Sequence, residues 1–300
     1  MLFMNKIEVL NFGSLNIDHV YQVPHFVAPK ETLSCMEYAQ FAGGKGLNQS
    51  VALARAGVRT AHAGKIGPDG AFLEETLKLA GVDTQFLIHG ALPTGHAIIQ
   101  VDREGQNCIL LYPGANRAIT QEEIDSVLER LEPGTWILLQ NEINEIPYLM
   151  REAKARGFRI AINPAPCGPE VAEYPLELAD VLFVNEIEAA QLSGLNGTPD
   201  EILDVLVKRF PECEIVMTLG GDGAAYAKGA KRFRVASPEV AVVDTTSAGD
   251  TFSGYYIAAK QRGYSPERAM ETAALAGSIA VSRAGAAVSI PTADEVFRDI

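Results

Sequence analysis

Short, nearly unbroken apolar runs alternate along this chain with longer stretches whose apolar positions recur every three or four residues. The runs Ile7–Phe12, Trp136–Gln140, Phe158–Ile162, Val181–Val184 and Ile215–Leu219 have the length of buried strands. The stretches Leu47–Ala56, Ala71–Ala80, Gln121–Leu131, Pro147–Ala155, Glu201–Phe210, Thr251–Arg262 and Pro266–Arg283 carry the helical period. Alternation of this kind predicts an α/β fold, a mostly parallel sheet covered by helices. Ligands of such sheets sit at the carboxyl ends of the strands. Asn16 and Asp18, Glu142, Asn185 and Gly220 all follow strand runs at that end.

Two stretches break the alternation. His19–Phe41 and His96–Tyr112 read as strands joined by polar turns, Asp102-Arg103-Glu104-Gly105-Gln106-Asn107 among them. No repeat, low-complexity tract or linker divides the chain. Its 300 residues, 47% hydrophobic, suit one large α/β domain with a small accessory part.

Charge and cysteines narrow the function classes. A net charge of −13 argues against a nucleic-acid surface. Cys35, Cys108, Cys167 and Cys213 show no C-x-x-C spacing and read as reduced thiols, not a zinc site or disulfide framework. No apolar stretch reaches the roughly 18 residues of a membrane helix, and no signal-peptide pattern opens the chain. A cytoplasmic protein with no membrane partner is expected.

The chemistry concentrates in two glycine-rich segments. In Val243-Asp244-Thr245-Thr246-Ser247-Ala248-Gly249-Asp250-Thr251-Phe252-Ser253-Gly254, small residues lead into a carboxylate and then a helical pattern. Ala248, Gly249 and Asp250 therefore fall at a helix N-terminus, where free N–H groups and the helix dipole attract phosphate. Asp250 would repel that phosphate. It makes sense either as a helix cap or as the group that takes a proton from a hydroxyl attacking the phosphate. The second segment, Phe41-Ala42-Gly43-Gly44-Lys45-Gly46-Leu47-Asn48-Gln49-Ser50, is not a Walker A loop, since Gly46 follows Lys45. Gly43 and Gly44 permit close backbone approach to a small ligand, with Lys45 and Asn48 as donors, or simply turn the chain into a helix.

With Gly13-Ser14-Leu15-Asn16-Ile17-Asp18, Pro113-Gly114-Ala115-Asn116, Asn163-Pro164-Ala165-Pro166, Asn185-Glu186-Ile187-Glu188 and Thr218-Leu219-Gly220-Gly221-Asp222-Gly223, these segments follow in one order over nearly the whole chain. That order resembles the PfkB carbohydrate kinases, the ribokinase-like family. The resemblance implies a single domain over 1–300: a three-layer α/β sandwich with a mostly parallel sheet. A discontinuous β lid from about 19–41 and 96–112 would close over the sugar and form the contact of a homodimer.

The activity implied is transfer of the γ-phosphoryl group of ATP to a primary sugar hydroxyl, foremost ribose to ribose 5-phosphate. Asp250 would be the base, with the N–H groups of Ala248, Gly249 and Asp250 as the anion hole. Asn16, Asp18, Gly43, Gly44, Lys45, Asn48 and Glu142 would hold the sugar, with an Asx turn at Asn16–Asp18 and a solvated Glu142 as plainer readings. Asn185, Thr218, Gly220, Gly221, Gly223 and Gly249 would bind the nucleotide, the Gly220–Gly223 segment reading equally as a hairpin turn. Glu188 would arrange Mg²⁺ through water, unless Asn185 and Glu188 merely form a capping box. A K⁺ site is implied at Asp244, Thr246, Ala280, Arg283, Gly285 and Ser289, against a simple Asp244–Arg283 ion pair. Ser247, Phe72 and Tyr255 depart from the family pattern. Fructose, a keto-deoxy sugar acid, adenosine and pseudouridine stay open as substrates, as does a non-catalytic sugar or nucleotide sensor.

Overall fold

The computed structural model describes residues 6–297. Its strands are β1 (Val9–Phe12), β2 (Asn16–Gln22), β3 (Glu37–Gly43), β4 (Thr60–Ile66), β5 (Asp83–His89), β6 (Gly95–Val101), β7 (Asn107–Tyr112), β8 (Trp136–Gln140), β9 (Arg159–Asn163), β10 (Val181–Asn185), β11 (Glu214–Thr218), β12 (Ala224–Lys228) and β13 (Lys231–Val235). Its α-helices are α1 (Lys45–Arg55), α2 (Ala71–Leu79), α3 (Gln121–Leu128), α4 (Ile146–Ala155), α5 (Glu186–Ser193), α6 (Pro199–Arg209), α7 (Ala248–Gln261), α8 (Pro266–Val281) and α9 (Ala293–Val296).

The larger sheet has the order β13-β12-β11-β10-β9-β8-β1-β4-β5. From β5 through β4, β1, β8, β9 and β10 to β11 every pairing is parallel, and β12 and β13 add an antiparallel edge. Strand period sorts its residues onto two faces. Leu10, Phe12, Ile137, Leu139, Ile160 and Ile162 pack into one apolar cluster, and Val9, Trp136, Leu138 and Ala161 into the other. Helices cover both faces, which explains why the central strands read as unbroken apolar runs. The expected mostly parallel three-layer arrangement is what the chain adopts.

A second sheet, β3-β2-β6-β7, is built from the two stretches that broke the alternation. β2 pairs antiparallel with β3 and parallel with β6, and β6 pairs antiparallel with β7. It extends beyond the expected segments, because β2 begins at Asn16 and β3 ends at Gly43. Asn16 and Asp18 are therefore strand residues of the small sheet, not part of a strand-to-loop Asx turn.

Helices α1 and α7 carry the two glycine-rich segments and cross closely. A Cβ on Gly254 would sit 2.5 Å from the Ala52 Cβ, a separation only glycine permits. This contact brings the start of α1 against the start of α7. Among the described residues no helix is long and apolar enough to cross a membrane.

Candidate active site

Asp250 is the third residue of α7 and is buried, with 6% of its surface exposed. It does not cap the helix. The N-cap position is Ser247, in left-handed backbone at φ 61°, and no side chain accepts a bond there. The carboxylate turns instead toward α1: Oδ2 accepts the Asn48 amide at 3.1 Å and Oδ1 the Gln49 amide at 2.9 Å. No side chain caps the first turn; the Ala248 N–H reaches the Thr245 carbonyl at 3.3 Å, and those of Gly249 and Asp250 fit an anion-binding terminus. A Cβ on Gly249 would meet nothing within 4 Å, so the backbone there is open to close approach.

The start of α1 supplies the facing cation. Lys45 follows Gly44, whose φ of 94° favours glycine. The Asp250 carboxylate, against the cost of burial and with help from Glu142 and Glu188, holds the Lys45 ammonium above its ordinary pKa. Glu142 is not a solvated surface residue. It accepts the Lys45 backbone N–H at 3.0 Å and the Ser14 hydroxyl, and burial pushes its carboxyl up against the lowering effect of Lys45. Ser14 in turn accepts the Gly46 N–H at 3.2 Å, tying β1's exit to α1.

On the small sheet, Asp18 lies directly over Gly43. A Cβ at Gly43 would come 2.0 Å from its carboxylate, so the glycine makes room for the acid. Burial, then the charge of Glu142, pushes the Asp18 carboxyl up to about 7. Asn16 accepts the Asn116 amide at 2.8 Å, while the Asn116 Oδ1 accepts the Leu15 N–H at 3.0 Å. Ser14, Gln49, Asn116 and Gln140 are site-supporting residues that sequence reasoning missed. The signal was present: an amide or hydroxyl inside or beside an apolar run is buried only when bonded.

Two cavities meet at the start of α7. One, of about 260 Å³, is lined by Lys45, Asn185, Glu188 and Asp250. The other, of about 590 Å³, lies beyond Phe252 and Gly277 and has the size of a nucleotide site. Thr218, Thr245, Ala248 and Gly249 line both. Gly220 and Gly221 face the larger cleft with no atom within 4 Å of a would-be Cβ. Gly223 also lines it, but its φ of 93° and the 2.0 Å approach of a Cβ to the Val235 carbonyl fit the hairpin that joins β11 to β12. That segment is thus a hairpin turn and a cleft wall together.

Asn185 and Glu188 do form a capping box on α5. Asn185 Oδ1 accepts the Glu188 N–H at 2.8 Å, and Glu188 Oε2 accepts the Asn185 N–H at 2.9 Å. The Glu188 carboxylate still borders the smaller cavity. Among the described residues no group of three metal-ligating side chains exists. The single Glu188 carboxylate at the cavity fits a cation that keeps most of its waters, as Mg²⁺ does.

The loop before α7 packs against the loop after α8. Asp244 accepts the Thr246 N–H at 2.9 Å, the Thr246 hydroxyl at 2.6 Å and the Gly285 N–H at 2.9 Å. Burial pushes the Asp244 carboxyl up, but these bonds outweigh it and leave it below the usual value. The Ser247 hydroxyl donates to the Ala286 carbonyl at 3.1 Å. The Asp244–Arg283 ion pair is not formed, because Arg283 pairs with Glu295 at 2.5 Å. Ser289 closes its own turn on Ala286, and the Ala280 carbonyl accepts the Arg283 N–H. Gly285, at φ 91°, is the residue its turn requires.

Comparison with known proteins adds the decisive observation: residues 6–293 match the model of the pfkB family carbohydrate kinases. The chain belongs to this family. It is 35% identical to the ribokinase of Staphylococcus aureus over 97% of its own length and 98% of that protein. Among solved structures, the ribokinase of Thermotoga maritima superposes with a TM-score of 0.89 at 33% identity, covering 97% of this chain and 98% of that one. The Arabidopsis thaliana ribokinase complexed with ribose and ATP gives a TM-score of 0.88 at 28% identity, covering 98% of each chain. As a pfkB family member this protein is an ATP-dependent carbohydrate kinase.

Proposed function

We propose that this kinase transfers the γ-phosphoryl group of ATP to the 5-hydroxyl of ribose. The observation that carries the reading is the Asp250 carboxylate, held by two amides at an uncapped helix N-terminus where a nucleotide-sized cleft meets a smaller polar cavity. The relatives named above, ribokinases matched along nearly their whole length, support ribose as the acceptor. In this reading Asp18, Asn16, Glu142 and the Gly43–Gly44 backbone pair the sugar hydroxyls. Asp250 takes the hydroxyl proton as the oxygen attacks phosphorus, and the hydroxyl becomes the phosphoester oxygen while ADP leaves. The N–H groups of Ala248, Gly249 and Asp250 receive the charge spreading over the transferring oxygens, with Lys45 opposite.

Glu188, bordering the smaller cavity, would hold Mg²⁺ through water, and the ion would supply charge neutralisation for the transfer. Asp244, Thr246 and the loop from Ala280 to Ser289 would hold K⁺ and so steady the anion hole. The small sheet acts as a lid on the sugar within a single domain. Exposed Phe41, Ile109, Leu110 and Leu111 make it the contact face of a homodimer. Cys35, Cys108, Cys167 and Cys213 are all free, which suits the cytoplasm.

The test is initial rates with MgATP for ribose, fructose, a keto-deoxy-gluconate, adenosine and pseudouridine. Ribose should give the highest kcat/KM, because a site that pairs several hydroxyls rejects analogues leaving its polar groups unpaired. Phosphorylation of another acceptor but not ribose overturns the substrate; no phosphorylation of any overturns the catalytic reading in favour of a sensor.

A further inference from the structure

A line of buried side chains runs from Asp250 across β8, β1 and β4 on the face of the sheet that α1 covers. Gln49, 0% exposed, donates its amide to Asp250 Oδ1 at 2.9 Å. Its Oε1 accepts the amide of Gln140, also 0% exposed, at 2.6 Å. The same Gln140 nitrogen donates to Asn11 Oδ1 at 2.9 Å. Asn11 donates to the Gly46 carbonyl at 2.6 Å and to Ser50 Oγ at 2.9 Å, and Ser50 lies 2.8 Å from His62 Nδ1.

The orientation of every amide in the line follows from one group. An ionised carboxylate only accepts, so Gln49 must present its NH₂ to Asp250 and its oxygen to Gln140. Gln140 must then present its NH₂ to Gln49 and Asn11. Its own Oε1 is left with no partner, pressed beside Gly13, where a Cβ would come within 2.2 Å of it. Asn11 must turn its NH₂ to Gly46 and Ser50, and Ser50 pairs in turn with His62, which burial keeps neutral with a pKa near 3. Leaving the Gln140 oxygen unpaired costs energy. Turning any amide over would set oxygen against oxygen further along. The bonds from Gln140 to Gln49 and from Gln49 to Asp250 point in one direction, toward the carboxylate, and aligned bonds of this kind reinforce one another, while those from Gln140 to Asn11 and from Asn11 to Ser50 run the other way and hold Gln140 in place.

We infer that Gln49, backed by Gln140, is a positioning residue that sets the orientation and the proton affinity of the Asp250 base. This rests on the kinase reading above. Gln49 reaches neither sugar nor nucleotide; it acts through Asp250. Asn48 fixes the other oxygen from the same helix. The charged groups facing Asp250 are Lys45 of α1 and Glu142 after β8, with Glu188 of α5 across the smaller cavity. None of them touches Gln49 in the hydrogen-bond pattern, so an effect of Gln49 on the titration of Asp250 is its own.

The experiment compares pH profiles of kcat for the wild type, Gln49→Glu, Gln49→Met and Gln140→Met, with MgADP binding as the measure of an intact fold. Gln49→Glu sets a second carboxyl against Asp250, so one of the pair holds a proton to higher pH. Its acid limb should move up by about one pH unit or more. Gln49→Met removes the donor and should move the limb in the same direction by less, with kcat down by about 10²-fold from loss of aim. Gln140→Met should do the same more weakly. KM for sugar and for ATP should hold in all three. Folded variants with lowered kcat and an unmoved acid limb overturn the inference and leave the line a packing device. Should Gln49→Glu fail to fold, Gln49→Met and Gln140→Met decide. A wild type that phosphorylates no acceptor refutes the kinase reading instead, and is told apart because no profile exists to shift.

Discussion

Asn48 donates its side-chain amide to Asp250 Oδ2 at 3.1 Å, across the crossing of α1 and α7. The residue expected at the sugar is thus bonded to the base as well, while its Oδ1 has no partner. In the proposed mechanism acceptor and base are gauged from one side chain.

Replacing Asp250 by Asn should leave the fold and MgATP binding intact and lower kcat by roughly 10² to 10⁴, the span of general-base catalysis. Single-turnover rates in the purified variant, with nucleotide affinity measured separately, check this. Near-normal turnover removes Asp250 from the proton transfer.

The helix crossing makes a second, purely mechanical prediction. Gly254→Val puts methyl groups where Ala52 already stands 2.5 Å from a first Cβ. Overpacking should cost about 1–3 kcal/mol, read by denaturant unfolding. Because it parts α1 from α7, kcat should fall even at temperatures where the variant is folded. Unfolding alone, with normal turnover below the midpoint, would mean that the crossing does not aim the base.

Asp18 gives a pH dependence with a fixed sign. Its folded-state carboxyl titrates near 7, above the ordinary carboxylate value, so between about 4 and 7 the folded chain holds a proton the unfolded chain has lost. Stability from this group is present at low pH and lost as pH rises toward 7. Sugar hydroxyls donating to the carboxylate favour its ionised form. Ribose binding should therefore release protons near neutrality and tighten from pH 6 to 8. Calorimetry in buffers of different ionisation enthalpy measures that release, and Asp18→Asn should abolish it. A release undiminished in the variant would assign it elsewhere.

Ser247 holds a left-handed conformation that costs a non-glycine residue roughly 1–2 kcal/mol, and it returns a hydroxyl bond to Ala286. Ser247→Gly should relieve the backbone yet loosen the tie between the anion hole and the 283–289 loop. If that loop holds K⁺, the K⁺ concentration for half-maximal rate should rise in the variant at fixed ionic strength. An enzyme whose rate is the same in K⁺ and in a bulky organic cation sinks the cation site altogether.

The central strands were legible because burial on both faces leaves apolar runs. β4 was not, since Thr60–Ile66 carries His62, Gly64 and Lys65 within a buried strand. Each is explained only by what lies across from it: Ser50 for His62, the Gly13 carbonyl 2.5 Å from a would-be Cβ for Gly64, and Glu123 for Lys65 at 2.7 Å. The β12–β13 edge and the short α5 lacked a strong period of their own and are fixed by their neighbours. Asp250 and Lys45 could be read from glycine-rich spacing, because a helix start has a local signature. Gln49 and Gln140 could not, because the β8 strand and α1 that bring them together lie about ninety residues apart and only the parallel sheet joins them. The alternative of an Asp244–Arg283 pair fails because the partner, Glu295, lies beyond the loop that suggested Asp244.

The groups around the acceptor are divided between two bodies. Lys45 and Asn48 ride on α1, which is bonded to Asp250 of α7, whereas Asn16, Asp18 and Gly43 belong to the small sheet. A change of acceptor can therefore be written into β2 and its partner β6 without disturbing the reacting carboxylate. Divergence toward new sugars is mechanically cheap in this scaffold, and a library confined to residues 16–22 and 95–101 is the place to look for it.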